Sequence, residues 1–331
     1  MNRTQKIFLT SLTLITLIAL VVFMAYTVTD TQSVSSNDKL NIVTTIYPLT
    51  YLTQQIGGDY VKVTQLIPNN VEIHSWEPSV SHIMAAEDAN IIFYNGADAD
   101  HWLEEDILPA LSTSNNNRII IETTANLPLI PITEPHEHNG DNHSAHDHGL
   151  YDPHTWLSPY MAKQQAKNIY DTLIRVDPQH EKYYTQNWHK LEQQLEQLDN
   201  LYLNSLTNNN PNKKVIFVSH EAYGYLADRY DFTQHGAIGL SADQQPSITS
   251  LSKLINEMKE YQTYTIYFDP VYSDKYIQTI KNDVQTQTGQ TVTILKLYLL
   301  LGPIDNLDYL EQMQTNLVNL QTSLETPNKN K

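Results

Sequence analysis

The sequence predicts an α/β protein of βα units with mainly parallel sheets. Two observations carry this. Apolar, β-branched runs alternate with helix-spaced segments in both halves of the chain, the pattern of parallel strands with helical crossovers. Between the halves lies one long helical run, from 178 to about 206, able to connect two lobes. At 331 residues the chain has room for two ordinary domains or one large one.

In the first half, Leu40 to Tyr47 is an apolar strand ended by Pro48, and Leu49 to Ile56 has helical spacing closed by Gly57-Gly58. Val61 to Ile67 is a second strand, followed by a loop that begins Pro68-Asn69-Asn70 and reaches His74. Pro78 to Ala86 restarts a helix, Ile91 to Tyr94 is a third strand, His101 to Leu111 is helical, and Ile119 to Ile121 is a fourth strand. After Pro159, Met161 to Arg175 is an amphipathic helix. Asp177-Pro178 opens the long run, where Trp188, Leu191, Leu195, Leu198, Leu201 and Tyr202 recur at intervals of three and four. The second half repeats the theme. Strands are expected at Val215–Ser219, Phe232–His235, Thr263–Phe268 and Val292–Leu295, with helices at Ala222–Tyr230, Ile248–Tyr261, Tyr272–Thr288 and Asp308–Leu324.

Composition narrows the partners. Twenty basic residues against 37 acidic give a net charge of −17, which disfavours nucleic acid and favours cations. The absence of cysteine excludes disulfides, thiolate metal sites, cysteine nucleophiles and a lipid-modified cysteine. Arg3 and Lys6 precede an uncharged run from Ile7 to Tyr26, long enough to span a bilayer and longer than a usual secretory apolar segment. An uncleaved signal anchor is favoured over a removed peptide, with the rest of the chain outside. The expected organisation is an anchor and polar tether over 1–39, an N-terminal lobe over 40–176, a linking helix over 177–207 and a C-terminal lobe over 208–331.

The chemistry concentrates in histidines. His154 sits in Asp152-Pro153-His154-Thr155-Trp156-Leu157-Ser158-Pro159, where two prolines restrict the backbone around an imidazole, as a metal ligand requires. Five of the 13 histidines fall in 131–149, a polar segment read as a disordered, metal-gathering His-rich loop spanning 134–149. Open α/β sheets place ligands beyond the carboxyl ends of strands. His74, His220 and Asp269 lie at or beyond such ends, so two candidates come from each half and a site between lobes follows. Three imidazoles and a carboxylate form an N₃O set suited to zinc rather than manganese or calcium. The expected metal ligands are His74, His154, His220 and Asp269, with Glu72 or water as alternatives for the fourth.

Four further stretches complete a recognisable pattern: V-E-I-H-S-W-E-P-S at 71–79, V-S-H-E-A-Y-G-Y-L-A-D-R-Y at 218–230, I-G-L-S-A-D-Q-Q-P-S at 238–247 and Y-F-D-P at 267–270. With 152–159, they resemble the zinc-binding, ZnuA-like members of the zinc/manganese solute-binding proteins of ABC importers, over about residues 40–325. The resemblance implies two βα lobes joined by one long rigid helix, with the metal in the inter-lobe cleft. It implies ligands at His74, His154 and His220. Manganese-binding relatives typically carry glutamate at the last of these. Some relatives carry a further carboxylate in the segment that here reads L-Y-L-L-L-G-P (297–303) and offers none; Asp305, just beyond, is a poor substitute. The implied function is extracytoplasmic zinc capture by a monomer for an ABC transporter permease, at the cell surface or in a periplasm-like space.

Two other readings use the same residues: a surface metal store or adhesin without import, and a zinc hydrolase with Asp269 or Glu72 as general base. No H-E-x-x-H pattern supports the hydrolase. His82, His101 and His235 read as structural or capping residues, His180 and His189 as solvated, Glu221 as turned away from the site, and Trp76 and Trp156 as packing.

Overall fold

In the computed structural model, residues 39–112, 117–132, 150–207, 215–240, 246–272 and 275–324 are described. The anchor segment and most of the tether, and the His-rich loop of 134–149, lie outside them. Among the described residues no helix is long and apolar enough to cross a membrane.

The first sheet holds β1 (Leu40–Thr44), β2 (Val61–Gln65), β3 (Ile91–Tyr94) and β4 (Ile119–Glu122). The second holds β5 (Val215–His220), β6 (Thr233–Ile238), β7 (Thr265–Phe268) and β8 (Thr293–Lys296). Their orders are β2-β1-β3-β4 and β6-β5-β7-β8, so the two halves share one topology. Every pairing between these strands is parallel. Helices on the faces cover the central strands, and β1, β3, β5 and β7 are largely buried, which is why they read as near-continuous apolar runs. In the second half, Phe217 and Ile266 pack against Leu254 and Met258 of α7 (Ile248–Glu260) and Ile277 and Ile280 of α8 (Lys275–Thr288).

The other helices are α1 (Tyr47–Gly57), α2 (Val80–Glu87), α3 (Leu108–Leu111), α4 (Pro159–Val176), α5 (Glu181–Leu206), α6 (Gly224–Tyr230) and α9 (Tyr309–Ser323). The long connector α5 has 26 residues, about 39 Å at 1.5 Å per residue. Its buried stripe is Tyr184, Trp188, Leu191, Leu195, Leu198, Tyr202 and Leu206. Leu201, expected on that face, is 53% exposed. Seven residues after Leu195 nearly close two helical turns, which puts Tyr202 on the stripe and Leu201 beside it. At one end of α5 the Asn187 side chain donates to Ile56 O of α1 at 3.0 Å. Toward the other end Tyr202 donates to Met313 O of α9 at 2.7 Å, and Arg229 forks onto the buried Asp199 at 2.6 and 2.5 Å. One rigid element thus grips both sheets' helical layers.

Several expectations shift in detail. The first strand ends at Thr44, because Pro48 sits in the first turn of α1, where its missing N–H has no role, rather than closing the strand. His101–Leu111 is helical throughout, as expected, but its middle widens into a π-helical stretch, Leu103–Ile107, before α3, which has Pro109 in its first turn. His180 is not simply solvated. Its ring stacks on Tyr60 at 3.7 Å between centroids and bonds Asp177 at 2.7 Å. His189 is well exposed beside Glu192. His82 bonds the Ser79 amide at 2.9 Å, within the capping box of α2, and its ring lies against Trp76.

Candidate metal centre

Each of three histidines is delivered by local backbone chemistry. His74 lies on the loop after β2. That loop is pinned to the segment after β8, with Asn70 N donating to Leu301 O at 2.9 Å and the Asn70 side chain donating to Pro303 O at 3.1 Å. The approach is close enough to require glycine at 302, since a Cβ there would sit 2.7 Å from Asn69 Cβ and 2.9 Å from Asn70 N. Closer to the ring, the His74 amide donates to Glu72 Oε1 at 2.9 Å.

His154 follows Pro153 and precedes a 3₁₀ turn, Thr155–Leu157. The loop is fixed from several sides. Asn95, just beyond β3, donates to Pro153 O at 3.0 Å, Tyr225 donates to Asp152 O at 2.7 Å, and Trp156 Nε1 donates to Leu299 O at 2.9 Å. His220 is the last residue of β5, beside the switch point where strand order reverses and such sheets open a crevice.

The three rings meet. Centroids lie 5.3 Å apart for His74 and His154, 6.0 Å for His74 and His220, and 5.0 Å for His154 and His220. One nitrogen of each falls within 4.8 Å of the other two. His74 Nε2 and His154 Nε2 are 3.3 Å apart. Two ligands bound at about 2.0–2.1 Å in tetrahedral array stand at about that separation.

Protonation suits a cation. Leu240 O can only accept, so His220 Nε2, 2.7 Å away, donates to it. The Nδ1 lone pair is then left free, and that atom is buried without a hydrogen-bond partner. His154 Nδ1 donates to Asp152 Oδ1 at 2.8 Å, which turns Nε2 toward His74. Burial, followed by repulsion from His154 and His74, pushes His220 down to about 3, and burial holds His154 well below the ordinary imidazole range. Both rings therefore stay neutral, the form that binds metal. Burial lifts the Asp152 carboxyl to about 7.

Asp269 is not among the side chains brought together. It follows β7, but its oxygens accept backbone amides, Oδ1 from Val271 at 2.7 Å and Oδ2 from Leu299 at 2.5 Å. Its carboxyl thus fastens the β8 segment to β7. Glu72 lines the small cavity beside the imidazoles, with Oε1 4.0 Å from His74 Nε2 and the other oxygen accepting from Tyr272 OH. Leu299 and Leu301 form part of the wall. Trp156 also lines it, fully buried. Glu221 turns away to accept the Gly236 amide at 2.7 Å, His235 pairs with Glu257 at 3.0 Å, and Asp305 pairs with Lys296 at 2.5 Å. Sequence reasoning missed Tyr272, for which the chain carries no local signal. The i, i+2 spacing of Asp152 and His154 was a readable sign of the orienting carboxylate.

The comparisons agree with this architecture. The family model described as zinc-uptake complex component A, periplasmic (ZnuA), matches residues 42–323. The high-affinity zinc uptake system protein ZnuA of Bacillus subtilis (strain 168) is 33% identical over 291 residues, covering 88% of this chain and 89% of that protein. The Zn(II)-bound ZnuA-like domain of Streptococcus pneumoniae AdcA superposes with a TM-score of 0.71 at 28% identity, over 87% of this chain and 99% of that one. Laminin-binding protein (Lmb) of Streptococcus agalactiae, described as bifunctional with adhesin and metal transporting activity, gives a TM-score of 0.73 at 28% identity, over 87% of this chain and 100% of that one. With a family match spanning most of its length, the chain belongs to the ZnuA family of zinc-uptake components, which are solute-binding proteins and not enzymes.

Proposed function

We propose that this protein captures zinc outside the cytoplasmic membrane and passes it to the permease of an ABC-type importer, with His74, His154 and His220 as ligands. The observation that carries the reading is the meeting of three imidazoles, two from loops of the first half and one from the end of β5 in the second, two of them buried and neutral, with nitrogens within 4.8 Å. Zinc is borderline-soft and favours imidazole, whereas manganese and calcium favour oxygen-rich shells. The net charge of −17 concentrates cations near the surface, and the five histidines of 131–149 have a composition suited to low-affinity metal contacts. Arg3 and Lys6 before the uncharged run Ile7–Tyr26 support tethering at the outer face of the membrane.

A second reading, an adhesin or surface metal store, draws on the adhesin activity in the description of the streptococcal relative. Growth separates the two. Cells lacking the protein should fail to grow when zinc is chelated and recover with added zinc. Normal growth under chelation would favour the store. The ligand assignment is tested by His154→Ala, which should lower zinc affinity in calorimetry by several orders of magnitude while far-ultraviolet circular dichroism stays unchanged. Wild-type affinity in that variant would refute the site.

A further inference from the structure

We propose that Gly224 and Tyr225, in the second half of the chain, are positioning residues for His154 in the first. This rests on the three-imidazole site of the preceding section and deepens it. The segment His220-Glu221-Ala222-Tyr223-Gly224-Tyr225 leaves the end of β5 and enters α6. It is braced along its length. Glu221 accepts the Gly236 amide at 2.7 Å, the Tyr223 amide donates to Gln234 Oε1 at 2.9 Å, and Gln234 Nε2 donates to Glu221 O at 3.2 Å. A ligand histidine thus stands at one end of a rigid bracket. The other end faces Asp152, the carboxylate that holds the His154 ring.

Two features join the bracket to Asp152. The first is a hydroxyl set into a backbone ladder. Residues 130–132 and 150–152 pair antiparallel about the Pro131–Tyr151 bridge, and the residues flanking such a bridge ordinarily exchange both backbone bonds. Ile130 and Asp152 make one of them directly, Asp152 N to Ile130 O at 2.9 Å. In place of the other, Ile130 N donates to the Tyr225 hydroxyl at 3.2 Å, and that hydroxyl donates to Asp152 O at 2.7 Å. Tyr225 and Asp152 are both buried. Without the hydroxyl, the amide and carbonyl must close on each other or stay unpaired, and either change moves Asp152.

The second feature is a missing methyl group. A Cβ on Gly224 would stand 2.3 Å from Asp152 Oδ2 and 3.5 Å from its Cγ. Gly224 opens α6, and a helical backbone suits alanine better than glycine. The approach of Asp152, rather than backbone conformation, therefore excludes a side chain there. With alanine at 224 the carboxylate must turn. Turning draws Oδ1 away from the Nδ1 and amide of His154, now at 2.8 and 3.0 Å, and the ring loses the acceptor that sets its tautomer and tilt. One piece of the second half thus supplies His220 and fixes the ring of His154, whose centroid lies 5.0 Å from that of His220.

The test uses the full-length protein with Gly224→Ala, Tyr225→Phe, Asp152→Ala, the Gly224→Ala/Asp152→Ala pair and His154→Ala. Zinc affinity is read by competition with a chromophoric chelator, and coordination by the visible absorption of the Co²⁺-loaded protein. Changes to the groups that orient metal ligands typically lower affinity about 10–100-fold. Gly224→Ala should lose that much and alter the Co²⁺ bands, and Tyr225→Phe should lose about 10-fold. Because the alanine methyl acts through the Asp152 carboxylate, adding Gly224→Ala to Asp152→Ala should cost no more than about twofold further, the scatter of independent changes. Wild-type affinity and Co²⁺ bands in Gly224→Ala, wild-type affinity in Asp152→Ala, or an equal Gly224→Ala loss with and without the Asp152 carboxylate would overturn the proposal. With binding abolished by His154→Ala, any of these leaves the three-histidine site standing. Wild-type binding by His154→Ala would overturn both. Should Gly224→Ala prove unfolded, wild-type affinity and Co²⁺ bands in Tyr225→Phe would overturn the proposal.

Discussion

The state of two of the three imidazoles is set before any ion arrives. His220 is fixed by a carbonyl that can only accept, and His154 by a carboxylate two residues earlier, so each presents a lone pair rather than a proton. Their burial has a measurable consequence. In metal-free protein the ring resonances of His154 and His220 should not titrate between pH 5 and 8 by NMR, because burial depresses both, His220 to about 3. Midpoints near 6.5 would show that these rings are solvated and would contradict the geometry. The sign for stability follows. An unfolded chain takes up protons on these histidines below about pH 6.5, whereas the folded site excludes them, so the pair weakens the metal-free fold as pH falls below that value. The histidine ligand candidates were legible in the sequence because strand ends and a proline-framed loop mark them. Asp269 carried the same mark and has a different role. What takes its oxygens, the amides of Val271 and Leu299, is decided 30 residues away for Leu299, where sequence pattern has no reach.

Among the elements, α5 matters most to the site it never touches. It packs on α1 and α4 from the first half and on α6 and α9 from the second. Asp199, buried in its last turns, is held by Arg229 and Tyr230, and the guanidinium lies 4.0 Å over the Tyr160 ring of α4. Leu195 is fully buried near the middle of the stripe. Leu195→Ala should lower the unfolding free energy by about 2–5 kcal/mol in chemical denaturation, with zinc stoichiometry unchanged at low denaturant. A loss under about 0.5 kcal/mol, the range of surface substitutions, would mean that this stripe does not bear on a packed layer. Seven of the eight described strands were visible as β-branched or apolar runs, whereas β6, T-Q-H-G-A-I, was anticipated only in part, at Phe232–His235. Element ends were less visible, since Pro48 stops a strand or starts a helix equally well on sequence alone. The Leu103–Ile107 stretch shows the same limit, as its π geometry has no distinct residue pattern.

For the whole molecule, two sheets of identical order face one cleft, and loops from both reach the same few ångströms. The resemblance read from five short motifs anticipated that architecture. Cross-lobe contacts such as Glu72 with Tyr272 and Trp156 with Leu299 were not legible, because they join residues about 140 to 200 positions apart. Net charge was informative in another way, pointing to cations without saying which residues hold them. The central claim is that imidazoles of residues 74, 154 and 220, drawn from both halves, share one ion. Anomalous diffraction at the zinc edge from crystals of protein loaded with one equivalent of zinc tests it most directly. The account predicts a principal peak about 2.0–2.1 Å from one nitrogen of each of these three rings. A principal peak elsewhere, with any of the three rings out of contact, would contradict it.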